Sequence, residues 1–144
     1  MAGLTPLDVF ALTIYGEARN QPVEGRIAVA NVIRNRVRTS HWGAGYDAVC
    51  LAPHQFSCWQ RVGGAANYEA IKALQAQIEQ GQRPTDPVLT ECYAIAQEIV
   101  SGRLQDNTRS STHYYVTKSP TPLWAVGHAP ACYVADHAFF SDVA

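Results

Sequence analysis

Thr5-Pro6-Leu7-Asp8-Val9-Phe10-Ala11-Leu12-Thr13-Ile14-Tyr15-Gly16-Glu17-Ala18-Arg19 is the stretch that decides the fold. A hydroxyl at the N-cap, proline at the first helical position and a carboxylate three residues after the cap are helix-start chemistry, so a helix begins there. Leu7, Phe10, Ile14 and Glu17 then fall at i, i+3, i+7 and i+10, within one narrow stripe of a 3.6-residue helix. A glutamate therefore continues an apolar face. There it loses hydration, which disfavours its charged form and suits a general acid. A buried ion pair with Arg19, Arg26 or Arg34 is the other reading, and periodicity leaves both open.

Asn20-Gln21-Pro22 breaks this helix, and a second runs from Pro22 to Val37. Val23, Ile27, Val29, Ala30, Val32, Ile33 and Val37 occupy most of its sides, which predicts a central, buried helix. Arg19, Arg26, Arg34, Arg36 and Arg38 face a single acid, Glu24, and make a local positive patch. It reads either as a solvated face or as a surface steering the chain to an anionic polymer such as a bacterial wall. Residues 38 to 66, with Gly43, Gly45, Pro53, Gly63 and Gly64, show little periodicity and read as loops.

Farther along, Tyr68, Ile71, Leu74 and Ile78 mark a third helix that Gly81 ends. Asp86-Pro87 caps a fourth, carrying Leu89, Cys92, Ile95 and Ile99 before Gly102. Thr112-His113-Tyr114-Tyr115-Val116 favours a short strand with Cys132-Tyr133-Val134 as its partner, and Pro120, Pro122 and Pro130 exclude a long helix there. The expectation is a mainly α chain with a small β element (α+β), a single domain over residues 1–144.

Composition narrows the function classes. Hydrophobic residues make 47% of the chain and charged residues 16%, which fits a globular core and excludes a disordered chain. Eleven basic against twelve acidic side chains give a net charge of −1, without the excess that nucleic-acid binding needs. No apolar run approaches the ~20 residues of a bilayer span. Met1 to Leu12 lacks a basic segment ahead of an apolar one, so no export signal is expected. Cys50, Cys58, Cys92 and Cys132 form no C-x-x-C pair, and mostly free thiols are expected.

Three chemistries compete. His113, His128 and His137, with Cys132, suggest a zinc amidase, but their spacing puts no two ligands on one helix face. Cys58 with His113 suggests a thiol peptidase, against which stands a buried, inert thiol. Phe56, Trp59, Tyr114, Tyr115, Trp124, Phe139 and Phe140 either fill the core or, beside Gln55, Ser57, Thr112 and His113, line a sugar cleft. Such a cleft serves a glycan-cleaving enzyme or a non-catalytic glycan-binding module.

Three segments taken together favour the glycan enzyme. Ala11 to Arg19 with Gly25-Arg26-Ile27-Ala28-Val29-Ala30-Asn31-Val32-Ile33-Arg34-Asn35-Arg36-Val37, then Gln55-Phe56-Ser57-Cys58-Trp59, then Thr112-His113-Tyr114-Tyr115 resemble the SleB-like cell-wall hydrolases. That family comprises spore-cortex lytic enzymes and phage endolysins. The resemblance runs from about Asp8 to Phe140, closing on Trp124 and His137-Ala138-Phe139-Phe140.

It implies a lysozyme-like, lytic-transglycosylase-like fold acting on peptidoglycan glycan strands, with Glu17 as the catalytic acid and no metal or cofactor. Lytic transglycosylation needs one carboxyl where ordinary glycoside hydrolysis uses two. Glu24 and Asp47, the nearby acids outside the first helix, fall in no family block. Gln55, Phe56, Ser57 and Trp59 are implied as one cleft wall, with Thr112, His113, Tyr114 and Tyr115 opposite. Strand alternation lets only one of the two tyrosines reach substrate. Cys50 and Cys58 depart from the family pattern and leave a disulfide across that loop open. The implied setting is a monomeric phage endolysin, made in the host cytoplasm, acting on the wall after a separate protein permeabilises the membrane.

Overall fold

The computed structural model describes residues 3–61 and 66–143. Helix α1 (Pro6–Ala18) opens with a reciprocal cap: Thr5 Oγ1 accepts the Asp8 N–H at 3.1 Å, and Asp8 Oδ2 accepts the Thr5 N–H at 2.8 Å. The stripe read from the sequence understates its burial, because every residue from Val9 to Gly16 is buried. The cause is that α2 (Val23–Thr39), α3 (Tyr46–Leu51), α4 (Ala66–Glu79) and α5 (Pro87–Val100) all pack on α1. The buried hub is therefore α1, with α2 buried beside it.

Two short elements interrupt the stretch expected to be loop: α3, and a 3₁₀ turn at Ser57–Trp59. Gly63 and Gly64 lie outside the described residues. Helix α4 ends as expected at Gly81, whose φ of +79° lets the Gln82 N–H return to the Gln77 carbonyl at 2.9 Å. Asp86 caps α5 by accepting the Val88 and Leu89 amides at 2.8 and 3.3 Å.

The sheet corrects one pairing. Strands β1 (His113–Val116), β2 (Cys132–Val134) and β3 (His137–Phe140) are antiparallel in the order β1-β3-β2, so Cys132–Val134 pairs with β3 and not with β1. Ala135, at φ +51°, turns β2 back into β3 as a hairpin, which leaves β3 in the middle. Phe139 of β3 packs on Ala28 and Val32 of α2, and this contact seats the sheet on the helices.

The arginines of α2 do not form the solvent-facing patch expected of them. Arg26 pairs with Glu91, Arg34 and Arg36 are buried, and Arg38 alone of the four is exposed. The segment before β1 covers this side of α2. Asn31 donates to Asn107 Oδ1 at 3.3 Å, and Arg34 to the Leu104 carbonyl at 3.4 Å. Asn35 reaches Asp106 Oδ2 and the Ser111 carbonyl, both at 2.9 Å. Among the described residues, no helix is long and apolar enough to cross a membrane.

Candidate active site

Glu17 lies in the last turn of α1, half-buried, and receives two hydrogen bonds from distant parts of the chain. The Cys58 backbone N–H donates to Oε2 at 3.2 Å and the Tyr114 hydroxyl to Oε1 at 2.7 Å. Gly16 makes the first bond geometrically feasible. A Cβ at Gly16 would sit 2.5 Å from Cys58 Cβ and 2.7 Å from Cys58 Sγ, so the 3₁₀ turn reaches α1 only because that position has no side chain. The same turn is anchored one helical turn earlier, where Trp59 Nε1 donates to Thr13 Oγ1 at 2.8 Å.

Tyr114 reaches Glu17 because β1 is pinned to β3, where Tyr114 stands opposite Phe139. Burial, reinforced by the neighbouring Glu17 carboxylate, pushes its phenol well above the ordinary tyrosine value. Tyr114 therefore stays protonated and donates. Strand alternation sends Tyr115 elsewhere, onto Phe140 and Trp124 at centroid distances of 5.8 and 6.1 Å.

Arg36, expected within the positive patch of α2, is 5% exposed. Its Nε donates to the Thr112 carbonyl at 2.7 Å and its Nη1 to Gln55 Oε1 at 3.1 Å. The guanidinium also lies over the Trp42 and Phe56 rings, 4.8 and 5.2 Å from their centroids. Burial lowers its pKa, while the fields of Tyr114 and Glu17 oppose that fall. The available signal was its place within the family-like block of α2, not its charge.

A family model described as cell wall hydrolase matches residues 20–140. The chain belongs to the cell wall hydrolase family. The matched span begins just after Glu17, so that residue's role is argued from geometry and resemblance. Among solved structures, the hydrolase resembles the catalytic domain of the germination-specific lytic transglycosylase SleB from Bacillus anthracis, with a TM-score of 0.67 and 21% identity over 97% of this chain and 98% of that one. The catalytic domain of the Bacillus cereus SleB protein gives 0.64 and 20% over 97% and 94%. At these identities the likeness establishes the fold, a mainly helical domain with a small antiparallel sheet. A spore cortex-lytic enzyme of Oceanobacillus iheyensis is 37% identical over 51 residues, 35% of this chain, and the chain spans only 18% of that relative's length.

The structure brings the expected site residues of the hydrolase together unevenly. Gln55 and Ser57 are exposed and Trp59 is half-buried, open to contact beside Glu17's turn. Phe56 is 2% exposed and packs under Arg36, so it supports the wall from within. Thr112 is buried, engaged through its carbonyl by Arg36 and through Oγ1 with His113 Nδ1 at 3.0 Å. The half-buried His113 ring lies between Trp42 and Trp124, and burial followed by the Arg36 charge lowers its pKa to about 4.

The competing chemistries lose their geometry in the hydrolase. Among the described residues, no arginine stands within ion-pair distance of Glu17; Arg26 is committed to Glu91. The Cys58 thiol is buried against Gly16, and burial followed by Glu17's charge drives its pKa far up, so it supplies no thiolate for His113. All four cysteines are free thiols, without a bridge between Cys50 and Cys58. His128 pairs with Asp142 at 3.3 Å, and His137 is buried against Tyr114 and Phe139. Among the described residues, no three His, Cys, Asp or Glu side chains converge as metal ligands.

Proposed function

We propose that the chain, as one catalytic domain, cleaves the MurNAc–GlcNAc bond of peptidoglycan glycan strands as a lytic transglycosylase, with Glu17 as both acid and base. The observation that carries this reading is the pair of neutral donors on Glu17, Cys58 N–H and Tyr114 Oη–H. They occupy two of the roughly four lone-pair sites of the carboxyl group and leave the others to a substrate proton. Five of the other eleven carboxylates are engaged elsewhere: Asp8 with Tyr93, Asp86 with Tyr15, Asp106 with Asn35 and Thr108, Glu91 with Arg26, Asp142 with His128. Among the described residues no other carboxylate shares these two donors, and transglycosylation needs a single carboxyl. The relatives described as SleB lytic transglycosylase and spore cortex-lytic enzyme support the same reaction class.

In the first half-reaction the Glu17 carboxylic acid transfers its proton to the glycosidic oxygen as the bond to the muramic-acid C1 breaks. In the second, the Glu17 carboxylate takes the proton of the C6 hydroxyl as that oxygen bonds C1 and closes a 1,6-anhydro ring. Glu17 ends protonated and no water is consumed. The exposed Gln55 and Ser57 and the half-buried Trp59 and His113 offer hydrogen bonds and ring faces to the sugars. Mass spectrometry of fragments released from purified wall tests the reaction: products one water lighter than hydrolytic fragments are expected. Reducing-end products would mean that water replaces the C6 hydroxyl.

The biological setting we propose is host lysis as an endolysin, supported by the family resemblance. Cells expressing the chain in the cytoplasm are expected to lyse only after their membrane is permeabilised with chloroform. Lysis without permeabilisation would contradict that setting.

A further inference from the structure

Glu17's two donors come from segments far apart in the sequence, the Ser57–Trp59 turn and β1, and their spacing needs a common reference. Arg36 spans both. Its Nε holds the carbonyl of Thr112, just ahead of Tyr114, and its Nη1 holds Gln55, just ahead of Cys58. The guanidinium is 5% exposed, yet among the described residues it has no carboxylate within ion-pair distance. A buried cation is ordinarily paired, because removing it from water is costly. Here a rigid planar fork meets neutral acceptors, with the Trp42 and Phe56 rings over its faces.

From this geometry we infer that Arg36 is a positioning residue: it fixes the distance between the Cys58 amide and the Tyr114 hydroxyl, and so the orientation of the Glu17 carboxyl. The inference rests on the reading of Glu17 as the acid. A lysine at this position would keep the charge and lose the planar fork: its three donors sit on one nitrogen and do not reproduce the geometry of Nε and Nη1.

The test compares Arg36→Lys and Arg36→Gln with Arg34→Lys, a buried cation on the same helix that, among the described residues, bonds only the Leu104 carbonyl. Two readouts are taken: kinetics on glycan strands, and residue-resolved amide exchange by NMR. Both Arg36 variants are expected to lose about 10- to 100-fold in kcat with KM unchanged, since misplacement by an ångström costs that order. Protection of the Cys58 amide is expected to fall about tenfold or more, the worth of one charge-assisted bond, while the Leu12 and Ile14 amides stay protected. Arg34→Lys is expected to keep wild-type kcat.

Full kcat in Arg36→Lys would overturn the inference. So would a uniform loss of protection across α1, which marks a residue that only stabilises. Should the Arg36 variants fail to fold, Gln55→Met removes one arm at an exposed position, and unchanged Cys58 protection there would also overturn it. The exchange readout does not depend on turnover, so a failure of the Glu17 reading remains distinguishable from a failure of this one.

Discussion

Tyr114 Oη lies 2.7 Å from Glu17 Oε1, joining the last turn of α1 to the first strand of the sheet. The bond exists because β1 is registered on β3 and β3 is seated on α2 through Phe139. It makes the orientation of a helix carboxyl depend on a sheet formed by the last third of the chain.

Tyr114→Phe removes that donor and keeps the ring contacts to His137 and Phe139. A hydrogen bond to a charged group is worth about 1.5–3 kcal/mol, so kcat should fall by about 10- to 100-fold with little change in melting temperature. Turnover at the wild-type rate would remove Tyr114 from the site.

Gly16→Ala has a diagnostic sign. In an open helix interior, alanine stabilises relative to glycine by about 1 kcal/mol. Here the new Cβ would meet Cys58 Cβ at 2.5 Å, and overpacking of this kind costs about 1–3 kcal/mol. Urea unfolding should show a less stable protein, and lysis should fall as the Cys58 amide is pushed off Glu17. A more stable, fully active variant would contradict the close approach.

Stability should decline in acid in two stages. His113 has an ordinary value of 6.5 and titrates at about 4 in the folded chain. Between those limits the unfolded state binds the extra proton, so stability falls as pH drops from about 6.5 to about 4. Burial alone would raise Asp86 and Asp106. Hydrogen bonds outweigh it and hold both carboxyls below their ordinary range, from Tyr15 and the Val88 and Leu89 amides on Asp86, and from Thr108 and Asn35 on Asp106. Their contribution is complete above about pH 4 and is lost as pH falls through their lowered values. Denaturation midpoints for wild type and His113→Gln check the first stage. The variant should lose less between pH 6.5 and 4, and parallel curves would refute the assignment.

The sequence made some of this legible and hid the rest for physical reasons. Thr5-Pro6 and Asp86-Pro87 announce α1 and α5 because capping is local chemistry, and the structure makes those same bonds. Glu17 stood out because carboxylates are rare on apolar stripes. Helix α3 was hidden because six residues after Gly45 are too few to show a period. Strand β3 was hidden because a central strand buried on both faces, His137-Ala138-Phe139-Phe140, has no alternation to read. The burial of Arg36 is hidden because an arginine on a helix signals water unless something covers it, and the cover comes from residues 104–112.

Thiol and metal chemistry can be separated from glycan chemistry directly. Cys50, Cys58 and Cys92 are buried, and burial pushes the Cys50 and Cys92 thiols up to about 12 and the Cys58 thiol higher still. Iodoacetamide should therefore label the partly exposed Cys132 first and leave wall lysis intact, as should a chelator. Loss of lysis under either reagent would revive the peptidase or amidase readings.

The most direct test of the central claim is the lysis rate of Glu17→Gln. The amide keeps the shape of the carboxyl and can still accept from Cys58 and donate to the Tyr114 oxygen, but it cannot protonate the leaving oxygen. With no arginine among the described residues in ion-pair distance of Glu17, the variant should fold with near wild-type stability. Its rate should fall by at least about 10² to 10⁴, the worth of general acid catalysis. A well-folded Glu17→Gln that lyses wall at near the wild-type rate would contradict the account.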